Sequence, residues 1–155
     1  MTARLLLILI GLVVVLDLVT KAWALMLPAS GLPILPFFDL RLGFNTGISF
    51  GLLAAEGVNG YVVLILLTLG IVSVFLRLAW ISRSSLERAG YGAIVGGALG
   101  NLLDRLPDGA VTDFLDLHAG GWHFPTFNLA DVAISTGVGL LLLAADRLPP
   151  AKGKG

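Results

Sequence analysis

The stretch Gly96–Asp131 reads GGALGNLLDRLPDGAVTDFLDLHAGGWHFPTFNLAD and lies between long apolar runs. It holds Asp104, Asp108, Asp113, Asp116 and Asp131, half of the ten acidic residues in a 155-residue chain that is only 13% charged. Asn101, Arg105 and Asn128 accompany them. A carboxylate placed near hydrocarbon costs roughly 2.5–3.5 kcal/mol on insertion scales, so residues of this kind usually serve function rather than packing. Two of these carboxylates are therefore expected to form a proton-sharing pair at a membrane surface.

The rest of the chain supports that setting. Hydrophobic residues make up 57% of it and mean hydropathy is +0.95, above the soluble range. A span needs about 20 mostly apolar residues, and four runs qualify, at residues 5–27, 58–81, 89–106 and 129–148. The length suits one domain covering residues 1–155. The absence of cysteine excludes disulfides, thiol nucleophiles and cysteine metal sites. Zero net charge leaves no nucleic-acid footprint. The first run resembles a signal peptide in having Arg4 before an apolar core. Its length favours a retained helix, as do Asp17 and Lys21 where a small-residue cleavage site belongs.

Basic residues set the orientation. Seven of ten (Arg4, Arg77, Arg83, Arg88, Arg147, Lys152 and Lys154) fall at the two ends and in the linker between the second and third runs. Four spans put those regions on one side, which the positive-inside rule makes cytoplasmic. Asp17, Lys21, Asn101, Asp104 and Arg105 then finish outward-running helices, and Asn128 and Asp131 begin an inward-running one. Asn45, Asp113 and Asp116 lie in the outer segments. The unexplained polar residues thus collect in one layer near the outer leaflet.

Local patterns fill in the connections. Asp17 and Lys21 are spaced to pair on one helix face, either as a snorkelling lysine with its counter-ion or as part of a site. Phe38-Asp39-Leu40-Arg41-Leu42 alternates with period two and is followed by Gly43, Gly47 and Gly51, the signature of a small surface sheet over about 33–53. By composition alone Asn45 and Gly47 are turn formers. The second helix carries nothing ionisable before Arg77 and reads as lipid-facing scaffold. The third has small residues at Ala89, Ala93 and Gly97 and again at Gly92, Gly96 and Gly100, two faces suited to close helix packing. These faces continue into Asn101 and Arg105, and into Asp104, which is expected to pair with Arg105. Pro107 stops this helix. Residues 107–127, with Trp122, Phe124 and Phe127, read as an outer interfacial loop. Asn128, three residues before Asp131, resembles a helix N-cap with an acid in the first turn.

Three chemistries are open to such a layer. Lys21 with Ser49 or Thr20 would make a hydroxyl–lysine dyad. His118 and His123 with Asp113 or Asp116 would make a metal site, although their spacing matches no helical metal motif. Two aspartates sharing one proton would activate water, since like-charge repulsion and apolar surroundings both raise one pKa. By spacing, Asp104 competes with Asp113 for the first place in that pair. A proton- or ion-coupled transporter is the alternative function, and a non-catalytic lipid-binding or assembly protein a third. Transporters usually hold their acids at the midplane and show internal repeats; here the acids gather at one face and no repeat is visible.

In this order, DLVTK (17–21), FNTGISFG (44–51), GGALGNLLDR (96–105), VTDF (111–114) and FNLAD (127–131) resemble the type II, or lipoprotein, signal peptidases, an aspartyl protease family. Leu18 and Ser49 depart from the family's usual residues. The resemblance implies a fold of four transmembrane helices with a small extracytoplasmic β-cradle and an outer active-site loop. It implies cleavage of diacylglyceryl-modified bacterial prolipoproteins before the lipidated cysteine. It matches Asp113 and Asp131 to the catalytic pair, and Asp17, Lys21, Asn45, Gly47, Asn101, Asp104, Arg105, Asn128 and Ala130 to supporting or substrate-binding positions. No metal or organic cofactor is expected. The implied setting is the bacterial cytoplasmic (inner) membrane, with both termini cytoplasmic, the site near the outer leaflet, membrane lipids as neighbours, and a monomer as the working unit.

Overall fold

The computed structural model describes residues 1–47 and 57–146. Ser49, Gly51, the far edge of the 33–53 segment, the end of the 129–148 run, and Arg147, Lys152 and Lys154 lie outside the described residues. The elements run α1 (Ala3–Ala24), β1 (Leu32–Leu35), β2 (Phe38–Asn45), α2 (Gly57–Ile81), α3 (Ser85–Arg105), β3 (Val111–Ala119), β4 (Trp122–His123) and α4 (Leu129–Ala145).

Capping chemistry places the helix ends. Thr2 accepts from the Leu5 N–H to open α1. Helix α1 closes three residues before the apolar run does, ahead of Pro28, because a residue preceding proline avoids helical backbone. Helix α3 begins four residues before its apolar run, with the Ser84 side chain accepting from the Glu87 N–H at 3.3 Å. Its polar first turn hides that start from a hydropathy window. Asn128 and Asp131 form a reciprocal capping box at α4, each side chain accepting from the other's backbone N–H.

The segment read as an outer loop at 107–127 is largely strand. Strand β3 pairs antiparallel with β2, Gly43 opposite Asp113 and Asn45 opposite Val111, and β4 hairpins back onto β3. The order is β1-β2-β3-β4. Val111, Asp113 and Leu117 of β3 look into one cleft, so the alternation was present in the sequence. Its inward face carries an acid where a strand pattern calls for an apolar residue. Gly120 and Gly121 both take positive φ (57° and 82°), the geometry of a two-residue hairpin turn.

Helix α3 is the hub, packed against α1, α2 and α4. Its two small-residue faces meet different partners. A Cβ at Gly92, Gly96 or Gly100 would run into Leu6, Val13 or Asp17 of α1. One at Gly97 would overlap the Ala130 carbonyl oxygen and lie 2.8 Å from Ile134 of α4. These seams bring the polar ends of three helices within hydrogen-bonding range.

The outer surface is apolar. Helix α1 (mean hydropathy 2.5) and residues 60–81 of α2 (2.6) are long and apolar enough to cross a membrane. Leu7, Val19, Leu66 and Val74 on them are all more than half exposed. Helix α4 is a shorter apolar helix.

Gly97→Ala is expected to lower thermal stability in detergent by about 1–3 kcal/mol, through overpacking against the α4 backbone. Gly139→Ala, where a Cβ meets nothing within 4 Å, is expected to cause no loss.

Candidate active site

Three helix ends and strands β2 and β3 supply a buried polar cluster. Lys21, 2% exposed in the last turn of α1, does not snorkel to the surface. Its ammonium lies 2.8 Å from Asp17 Oδ2 and 3.4 Å from Asp104 Oδ2, and donates to Asn101 Oδ1 at 2.7 Å. Asp17, fully buried, accepts through Oδ1 from the Ala130 N–H at 2.8 Å, which pins the first turn of α4 to α1. Asp104 accepts from the Thr112 N–H at 2.7 Å and so holds β3 against α3.

The expected Asp104–Arg105 pair does not form. Successive helical residues point about 100° apart, so Asp104 turns to Lys21 while Arg105 turns the other way. Arg105 Nη2 donates to the Gly47 carbonyl at 3.0 Å, and its charge acts at longer range on Asp104 first and then on Asp113 and Asp131. Gly47 in turn donates its N–H to Asn45 Oδ1 at 2.9 Å. Asn45 and Gly47 thus join the cluster from the end of β2.

Asn128 is the junction. Fully buried, it donates through Nδ2 to Asp113 Oδ1 at 2.7 Å and to Asn101 Oδ1 at 3.1 Å. Its backbone N–H donates to Asp131 Oδ2 at 3.2 Å. Asn101 Nδ2 donates to Asp131 Oδ1 at 3.0 Å. Asp113, 3% exposed, has its pKa raised to about 6, first by burial and then by the negative charge of Asp131. Hydrogen bonds from Asn128 and Asn45 and the charge of Lys21 pull it partly back. Of the two candidates for the first acid, Asp113 faces Asp131 across the cleft, whereas Asp104 is held behind it by Lys21 and Thr112.

Among the described residues the other chemistries lose their geometry, Ser49 lying outside them. Thr20 Oγ1 donates to the Leu16 carbonyl at 2.8 Å, and Lys21 is surrounded by Asp17, Asp104 and Asn101, so no Thr20–Lys21 dyad forms. His123 sits 2.9 Å from Asp116 and His118 3.3 Å from Asp39. Among the described residues no three of His, Asp, Glu or Cys come together as a metal site.

Asn45, Gly47, Asn101, Arg105, Asp113 and Asp131 line one end of a cleft of about 870 Å³. The remainder is mostly apolar and runs between α2 and α4 over α3. Leu64, Leu67, Ile71 and Phe75 form its α2 wall, so α2 is more than the lipid-facing scaffold its sequence suggests. Thr112 was likewise missed. Its role is a backbone N–H, which no residue type announces.

Comparison with known proteins agrees with this geometry. The family described as Signal peptidase (SPase) II matches residues 9–146. The lipoprotein signal peptidase of Rhodopseudomonas palustris is 45% identical over 149 residues, 89% of this chain and 90% of that protein. That of Coxiella burnetii is 43% identical over 148 residues, 91% and 89%, and that of Yersinia pseudotuberculosis 40% over 144 residues, 90% and 85%. Two solved bacterial membrane enzyme structures share the fold. One has a TM-score of 0.83 at 24% identity, covering 99% of this chain and 94% of the other. The second has a TM-score of 0.81 at 25% identity, with 95% and 96% coverage. The transporter alternative finds no support in these relatives. A family match over nearly the whole chain, and relatives at 40–45% identity, establish that this protein belongs to the signal peptidase II family of aspartic peptidases.

Proposed function

We propose that this membrane peptidase removes the signal peptide from lipid-modified prolipoproteins, cutting before the diacylglyceryl-modified cysteine, with Asp113 and Asp131 as its catalytic pair. The observation carrying this reading is that both carboxyls are held through one residue, Asn128, at the polar end of an otherwise apolar cleft. In the bilayer, the four helices span with both termini cytoplasmic, and the polar end lies beneath the outer headgroups, as the distribution of basic residues supports. The signal peptide and lipid chains occupy the apolar length between α2 and α4, and the scissile bond reaches the acids.

The chemistry consumes one water. The ionised member of the pair takes a proton from water as its oxygen bonds to the scissile carbonyl carbon. The protonated member hydrogen-bonds the developing oxyanion. As the tetrahedral intermediate collapses, the C–N bond breaks and a carboxyl proton passes to the leaving amine of the cysteine. The products are a signal peptide ending in a carboxylate and a lipoprotein with a free α-amino group. Arg105, whose charge acts on both acids as well as on Asp104, limits the repulsion between them. Asn45 is placed to bind substrate backbone, and Asn101 supports Asp131. The working unit of this reading is a monomer.

In detergent with a lipidated precursor peptide, Asp113→Asn and Asp131→Asn are each expected to lower kcat by about 100-fold or more, and chelator to leave cleavage unchanged. Cleavage at the full rate in either variant, or sensitivity to chelator, contradicts the assignment. The raised pKa of Asp113 also has a stability consequence. Its folded value, about 6, exceeds its unfolded value near 3.8, so the folded form keeps a proton that the unfolded chain releases. That contribution is complete below the unfolded value and is lost as pH rises through about 6. Relative to wild type, Asp113→Asn is therefore expected to gain stability between pH 4 and pH 7, by at most about 3 kcal/mol. Thermal unfolding across that range checks it.

A further inference from the structure

Lys21 is not among the residues lining the cleft, yet it governs a group that is. An ammonium can only donate hydrogen bonds. Its contact with Asn101 at 2.7 Å therefore forces that amide to turn its oxygen toward α1 and its NH2 group toward Asp131 Oδ1, 3.0 Å away. The same logic orients Asn128, whose oxygen must accept from the Asp131 N–H at 3.1 Å. Asp131 thus receives donors on both oxygens, from Asn101 and from the Asn128 backbone, at the positive end of a helix dipole. Asp113 lies on a strand with no such dipole.

Resting on the proposed cleavage reaction, we propose that Lys21 is a positioning residue that acts through Asn101 to keep Asp131 the ionised, water-activating member of the pair, leaving the proton on Asp113. If Lys21 is lost, only the 3.1 Å bond from Asn128 Nδ2 still holds the Asn101 oxygen, and the amide turns more readily to face Asp131 with its oxygen, replacing a donor with an acceptor. The charged groups facing this junction are Asp17 from α1, Asp104 and Arg105 from α3, and Asp113 from β3. Removing Lys21 alone would leave Asp17 unpaired, so the informative variant is Asp17→Asn with Lys21→Met, compared with Asp17→Asn alone. An asparagine at 17 can still accept from the Ala130 N–H.

The readout is the pH profile of kcat/KM for a lipidated precursor peptide, with kcat and KM resolved at the optimum. Relative to Asp17→Asn, the double variant is expected to move the acidic limb up by about one pH unit, the scale of one hydrogen bond to a charged group. The change is expected in kcat, with KM within about twofold, because Lys21 does not line the cleft. Asn101→Ala, which leaves the Lys21–Asp17 ion pair in place, is expected to shift the limb likewise, and provides the test if the double variant does not fold. In an Asn101→Ala background the two further changes should add nothing. A limb that stays in place contradicts the proposal, and effects that add would mean that Lys21 acts by its charge alone and not through Asn101. Failure of the cleavage reading is a separate outcome, seen as full-rate cleavage in Asp113→Asn or Asp131→Asn.

Discussion

Asn128 carries the connection between the two acids. Its Nδ2 reaches Asp113 on β3, its backbone N–H reaches Asp131 on α4, and its side-chain oxygen caps the helix on which Asp131 sits. One fully buried side chain therefore sets the start of α4, the position of β3 beside it, and the meeting of residues 113 and 131. Ordinary helix capping and site assembly are here the same set of hydrogen bonds. A cap is worth about 1 kcal/mol in a soluble protein. In this cluster its loss would also take one hydrogen-bond donor from Asp113 and one from Asn101.

The surroundings explain how so many charges stay in a largely apolar molecule. Four carboxyls (Asp17, Asp104, Asp113 and Asp131) meet two cations, Lys21 and Arg105. Breaking a buried pair typically costs 3–5 kcal/mol, so Asp17 and Lys21 hold each other inside. Asp104 takes the remaining side of Lys21 and a backbone N–H from Thr112. The imbalance that remains falls on Asp113 and Asp131, where retaining one proton relieves it. Close approach makes the arrangement possible. With a Cβ at Gly100 the Asp17 carboxylate would be only 2.5 Å away, and Gly97 presses on Ala130, whose N–H anchors Asp17.

Much of this was legible in the chain itself. The i, i+4 spacing of Asp17 and Lys21, the capping pattern at Asn128 and Asp131, and the two small-residue faces of α3 are local signals, and local signals survive into the fold. Three features were not legible. Strand β3 was concealed because its inward positions include an aspartate, and a pattern of apolar alternation treats that as a break. Asp104 was paired with its neighbour Arg105, although its partner lies 83 positions earlier in the chain. The α2 wall of the cleft looks like any lipid-facing helix, because an apolar groove and hydrocarbon select the same side chains.

The proposed chemistry rests on a single carboxyl proton held between residues 113 and 131, and infrared titration of the protein labelled in its aspartates tests for it directly. The carbonyl stretch of one protonated aspartate is expected to persist above the ordinary carboxylate range. It should disappear with a midpoint near pH 6, be lost in Asp113→Asn, and move to lower pH in Asp131→Asn, which removes the repulsion but leaves the burial. A spectrum in which every aspartate is ionised by pH 5, or in which the band survives Asp113→Asn or keeps its midpoint in Asp131→Asn, would contradict the shared proton.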